Sequence, residues 1–81
     1  MSDYRLVDCD FYDQLEALAT LHQACSIVYR NATGETIEVY DRIVNVYAAN
    51  KADFLRLNSG TEIRLDHLIT VNSNSIRFAQ T

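Results

Sequence analysis

Apolar residues in the first quarter of the chain recur at helical spacing. At 100° per residue, Phe11, Leu15, Leu18 and His22 fall on one narrow stripe, Asp13, Glu16 and Thr20 lie opposite, and Tyr12 and Ala19 fall between. This pattern predicts a helix from about Asp10 to His22. Asp10 is placed to cap the free amides, Asp13 follows three residues later in a capping-box-like position, and acids fill the first turn, where the helix dipole favours them. His22 suits the negative end of the same dipole. The stripe is expected to pack on the rest of the fold, leaving Asp13 and Glu16 in water with Tyr12 one turn from Glu16.

From Ala24 onward the period changes to alternation. Cys25, Ile27 and Tyr29 share one face of a first strand, and Asn31-Ala32-Thr33-Gly34 supplies a turn in which Gly34 takes positive φ. A second strand runs through Ile37 and Val39. Its apolar phase then shifts to Val44, Val46 and Ala48, which predicts a bend or bulge around Tyr40 to Arg42. Ala49-Asn50-Lys51 turns the chain into Leu55 and Leu57, and Asn58-Ser59-Gly60 turns it again into Ile63 and Leu65. Asp66-His67-Leu68 reads as a short helical turn before Ile69-Thr70-Val71. Ser75 to Ala79 is expected to add an edge strand through Ile76 and Phe78. One helix followed by five or six short strands places the chain in the α+β class, mostly β, as a small SH3-like barrel.

The 81 residues contain no Pro and two Gly, with no repeat or low-complexity stretch to mark a linker, so residues 1–81 are expected to form one domain. No apolar run is long enough to cross a bilayer, and Met1 to Asp10 is charged rather than a basic-then-apolar leader, which predicts a cytoplasmic protein without a membrane partner. Cys9 and Cys25 are expected as reduced, partly buried thiols. With His22 and His67 they never reach the short spacing of a structural zinc site, so no metal and no cofactor are expected. Asp66 beside His67 lacks a nucleophile placed by any motif, and no catalytic residue is assigned.

Net charge is −4, and its location is informative. Asp3, Asp8, Asp10, Asp13 and Glu16 face Arg5 alone in the first 22 residues, whereas the remainder balances six acids against six bases. Nucleic-acid binders draw affinity from basic groups that displace counterions from phosphates. This distribution instead favours a basic partner and argues against direct nucleic-acid binding.

Two motifs carry resemblances. Asp41-x-x-Val44-Asn45, after a bent glycine-led strand, resembles the first half of the Sm motif. Ile63-Arg64-Leu65-Asp66-His67-Leu68 looks like its second half, without the glycine that usually follows the arginine. These support an Sm-like barrel. More specific is Asp8 to Glu16, DCDFYDQLE, which resembles the Rof (YaeO) family of bacterial inhibitors of Rho-dependent transcription termination. Cys9, Asp10, Tyr12, Asp13, Leu15 and Glu16 match the family pattern in place, and Asp8 stands where the pattern has Asn. Glu62-x-Arg64-Leu65-Asp66 is a second, shorter likeness.

The resemblance implies a helix ahead of an Sm-like barrel, a monomer when free, and binding to the N-terminal RNA-binding region of the termination factor Rho. That region contains an OB-fold, a module that grips single strands with basic side chains and stacking aromatics. The Rho-binding residues expected on this basis are Asp10, Tyr12, Asp13 and Glu16 on the helix, with Asn50 and Lys51 on the loop after the second strand as a further contact. Two other readings stand beside it. One is an Sm- or Hfq-like ring that binds RNA through Asn45 and its neighbours, and the other is an acidic adaptor for a different basic protein.

Overall fold

Asp8 accepts the amide of Asp10 on its own side-chain oxygen, at 3.1 Å, and so begins a helix, α1, that runs Cys9–Leu21. A computed structural model describes residues 6–78 of the chain. The cap therefore sits two residues before the expected Asp10. In the run Asp8-Cys9-Asp10 either aspartate has the chemistry for it, and the amide of Asp8 is already anchored to the Arg77 carbonyl at 2.8 Å. At the far end His22 takes the left-handed conformation, φ 53, and its amide meets the Leu18 and Ala19 carbonyls, so the helix stops there as expected. Phe11 and Leu15 are buried and Leu18 packs against the core.

Behind the helix lies a six-stranded antiparallel sheet. Its strands are β1 (Ala24–Arg30), β2 (Thr36–Ala49), β3 (Ala52–Leu57), β4 (Glu62–Arg64), β5 (Leu68–Val71) and β6 (Asn74–Ser75), in the order β4-β3-β2-β1-β5-β6. A 3₁₀ turn, Leu65–His67, joins β4 to β5, one residue earlier than the sequence pattern suggests. That join fixes the shape of the sheet. Four strand spacings of about 4.8 Å would separate β4 from β5 by about 19 Å if the sheet were flat. The link from Arg64 to Leu68 spans at most about 14 Å. The sheet must therefore curl, bringing its β4 and β5 sides toward each other, while its hydrogen-bonded order ends at β4 and β6.

Strand β2 makes the curl possible. Residues 36–42 pair with β1, and residues 43–49 pair with β3. Ile43 faces Leu57 and Asn45 faces Arg56, so Val44 is an extra residue and the strand bulges there. The bulge lies beyond the expected Tyr40–Arg42, because the inward phase of Ile37 and Val39 continues to Ile43 before it breaks. Ile43 is fully buried, Val44 is 42% exposed and Ala48 is exposed, so Val46 alone of the three expected residues packs on the core.

Asp41 secures the far end of the bend. Its carboxylate accepts the Arg42 amide at 2.7 Å and the Ser59 amide at 3.1 Å, tying the β3–β4 turn to β2. Gly34 and Gly60 close their turns at φ +88 and +97, which only glycine adopts without strain. The core gathers Val7, Phe11, Leu15, Cys25, Ile27, Ile43, Leu55, Leu57, Ile63, Leu65, Leu68 and Val71. Truncating a fully buried member such as Leu55 to Ala would cost about 2–5 kcal/mol.

The last strand also departs from expectation. Asn72 and Ser73 both take positive φ and form a tight two-residue turn, so the edge strand is Asn74–Ser75. Ile76 and Phe78 instead pack on the core, Phe78 bridging to Val7, and Ala79 lies outside the described residues, as do Asp3 and Arg5. Cys9 is exposed, contrary to expectation, because its position at the helix start points it away from the Phe11–Leu15 stripe. Cys25 is buried and its thiol lies 3.5 Å from the Asp41 carbonyl. No helix among the described residues is long and apolar enough to cross a membrane.

Candidate functional site

The exposed side of α1 presents three carboxylates, and Tyr12 lies at the edge where Asp13 and Glu16 meet the core, with Asp10 on the far side of the helix from it. Asp10, Asp13 and Glu16 are exposed, while Tyr12 is partly buried and packs against the core. Because Asp8 serves as the cap, the carboxylate of Asp10 is not committed to the helix start. Among the described residues, no ion pair engages Asp10, Asp13 or Glu16.

Helix and sheet together add a residue that sequence reasoning missed. Asp53, opposite Ala48 near the start of β3, stands close enough to Tyr12 to act on it electrostatically. Burial, the charge of Asp53 and then that of Glu16 push the Tyr12 phenol above its ordinary value, so the ring stays neutral between carboxylates. Asp53 is distant from the helix in sequence. The only signal that could have found it is the hairpin register, which carries the start of β3 back to α1.

Asn50 and Lys51 take φ 52 and 64 and make the two-residue turn between Ala49 and Ala52, a geometry whose twist suits a tight hairpin. Both are exposed. The structure thus brings Tyr12, Asp13 and Asp53 around one shallow groove and leaves Asn50 and Lys51 at the hairpin tip, outside the groove's lining among the described residues. Glu16 lines a neighbouring groove with His22, Val44 and Asn45.

A second group of aromatic and charged residues occupies the outer face of β2, β3 and β4. Tyr47 and Phe54, paired across the strands, stack with ring centres 5.7 Å apart, and Arg56 lies 5.6 Å from the Tyr47 ring centre. Glu62 accepts the Tyr47 hydroxyl and pairs with Arg56 at 3.0 Å, which holds its carboxyl below the ordinary range. Arg64 grips Asp66 through two bonds of 2.6 and 2.8 Å. Here the charges answer one another. Among the described residues, no group of three or more His, Cys, Asp or Glu gathers to hold a metal ion.

The sequence matches no family model and no curated protein.

Proposed function

We propose that this protein inhibits Rho-dependent transcription termination, in the manner the Asp8–Glu16 resemblance to the Rof family implies, by binding the RNA-binding region of Rho through α1. The observation that supports this most directly is the outward flank of the helix, where Asp10, Asp13 and Glu16 stand exposed, Asp13 and Glu16 on the side of Tyr12. Carboxylates on such a surface take the positions that RNA phosphates would hold, and the tyrosine supplies the aromatic contact that a base would make. The transcript is then kept off Rho. The protein works by occupation rather than catalysis, as a cytoplasmic monomer, with Asn50 and Lys51 as an additional contact from the hairpin tip.

The ring-forming RNA-binding alternative fits less well. Asn45, which it would use, lines its groove together with the carboxylate of Glu16, a poor neighbour for phosphate, and Arg64 is already held by Asp66. Native mass distinguishes the two, a single chain supporting the inhibitor and a ring multiple supporting the alternative.

Displacement of labelled RNA from purified Rho tests the function. The wild-type chain is expected to displace RNA, and Asp13→Lys and Glu16→Lys are expected to do so poorly. Failure of the wild type would refute the function. Equal displacement by both variants would refute the assigned surface alone, and an acidic adaptor for another protein would leave Rho untouched.

A further inference from the structure

Strand β2 changes partner halfway along, and its first half is left with an open side. Residues 36–42 pair with β1 and residues 43–49 with β3, so the side of residues 36–40 that faces away from β1 has no neighbouring strand. The carbonyl of Arg42 accepts the Asn58 amide just past β3, which sets the direction of the main chain. Arg42, and with it Tyr40, Glu38 and Thr36 at every second residue, turn their amides and carbonyls away from β1. The neighbouring strand agrees, because Ser26, opposite Tyr40 on β1, gives its carbonyl to the Asn72 amide on the β5 side. Among the described residues, no main-chain hydrogen bond meets Thr36, Glu38 or Tyr40 on the open side.

This edge differs from the two ends of the sheet. β4 and β6 are three and two residues long, and shortness protects an edge from pairing. Ile37-Glu38-Val39-Tyr40 is longer, rich in strand-forming residues, and contains neither Pro nor Lys. Glu38 and Tyr40 are exposed, Tyr40 at 75%, and no ion pair among the described residues engages Glu38. Unbonded main chain calls for an extended segment, and a carboxylate at its centre calls for a cation opposite, since opposite charges paired across strands attract.

We infer that residues 36–40 of β2 receive an extended basic segment of another protein as an added antiparallel strand, with a lysine or arginine opposite Glu38 and apolar residues opposite Ile37 and Val39. Asn58 and Ser59, bonded to Arg42 and Asp41, close the edge beyond Tyr40, so the added strand ends or bends away there. A second copy of this chain fits less well, because a copy using the whole edge sets Glu38 against Glu38. The site is separate from α1, which lies beside residues 44–46 on the other half of β2, and it does not rest on the reading for Rho.

The probe is the peptide acetyl-Thr-Val-Lys-Val-Thr-amide, titrated into the isotope-labelled full chain while amide signals are followed by NMR. A few main-chain bonds and one exposed ion pair predict half-saturation on the order of 10 mM. The Glu38 and Tyr40 amides should move downfield and exchange more slowly with solvent, while those of Ile37 and Val39, already turned toward β1, move less. A methyl on the main-chain nitrogen of the peptide's lysine, which faces Glu38, should abolish binding, and a methyl on the nitrogen of the following valine, which faces away, should spare it. Glu38→Gln should weaken the lysine peptide up to about fivefold, and Glu38→Lys should prefer a peptide with glutamate in the lysine's place. Equal binding by the two methylated peptides, shifts centred away from residues 36–40, or no shift at any soluble concentration would overturn the inference. A chain that dimerises through these same residues without peptide would overturn it in favour of a second copy.

Discussion

Two regions of this small molecule combine aromatic rings with charged groups, and they differ in whether those charges are balanced. On the outer face of β2, β3 and β4, Tyr47, Phe54, Arg56 and Glu62 form a closed set, each charge meeting its opposite within the chain. On the flank of α1, Tyr12 stands beside Asp13 and Glu16, carboxylates that no ion pair among the described residues engages. A cluster that satisfies itself stiffens the sheet and offers little to a stranger. A cluster of one sign repels itself slightly and draws a cationic partner from a distance.

That contrast can be broken most forcefully by reversing charge on one region and then on the other. Asp13→Lys combined with Glu16→Lys replaces two attractions with two repulsions, each exposed pair being worth at most about 1 kcal/mol, so affinity for Rho should fall about a hundredfold. Titrating labelled RNA off Rho with the double variant measures it. The paired region should behave otherwise, and Glu62→Gln is expected to leave RNA displacement unchanged while lowering the thermal midpoint, since it frees Arg56 and Tyr47 from their shared partner.

Salt sharpens the comparison further. Raising ionic strength shortens the Debye length, to about 8 Å at physiological strength, so inhibition by the wild type should weaken steadily as salt rises. Inhibition indifferent to salt would place the binding energy outside the acidic flank.

The smallest effect concerns Asp41. The Arg42 amide foremost, then the Ser59 amide and hydroxyl and the Arg42 charge, hold its carboxyl below the ordinary value, against a contrary push from burial. The contribution of Asp41 to stability is therefore present above the ordinary carboxylate pKa and is lost as pH falls through the lowered folded value. The Ser59 amide resonance should shift in that acidic window while the Tyr12 amide, which makes no bond to Asp41, does not follow the same titration.

Much of the fold was legible because its signals are local. Phe11, Leu15 and Leu18 declared the helix by their spacing, and Gly34, Gly60 and the Asn50-Lys51 pair declared three turns. The misses share a physical origin. Asp8 and Asp10 are chemically equal candidates for the cap, and the choice between them depends on the Asp8 amide meeting Arg77, almost seventy residues away. Ile43 was overlooked because the bulge at Val44 reverses the strand phase one residue later, and alternation read through a bulge assigns the wrong face.

The site follows the same rule. Tyr12, Asp13 and Glu16 could be assigned to one flank from helical geometry alone, whereas Asp53 joins them only after two strands and a hairpin have returned the chain to α1. Its proximity is a property of topology. The Asn72-Ser73 turn, by contrast, did carry a local signal in its asparagine, and the strand beyond it was placed too late because the apolar pair Ile76 and Phe78 drew the assignment onward.

The most direct measurement maps the surface that meets Rho. With the isotope-labelled chain and unlabelled N-terminal domain of Rho, the amide signals of Tyr12, Asp13, Glu16 and Asp53 should broaden or shift first, while those of Phe54, Arg56 and Glu62 stay in place. Perturbation centred on the β2–β4 face, or a spectrum unchanged at saturating Rho, would contradict the account.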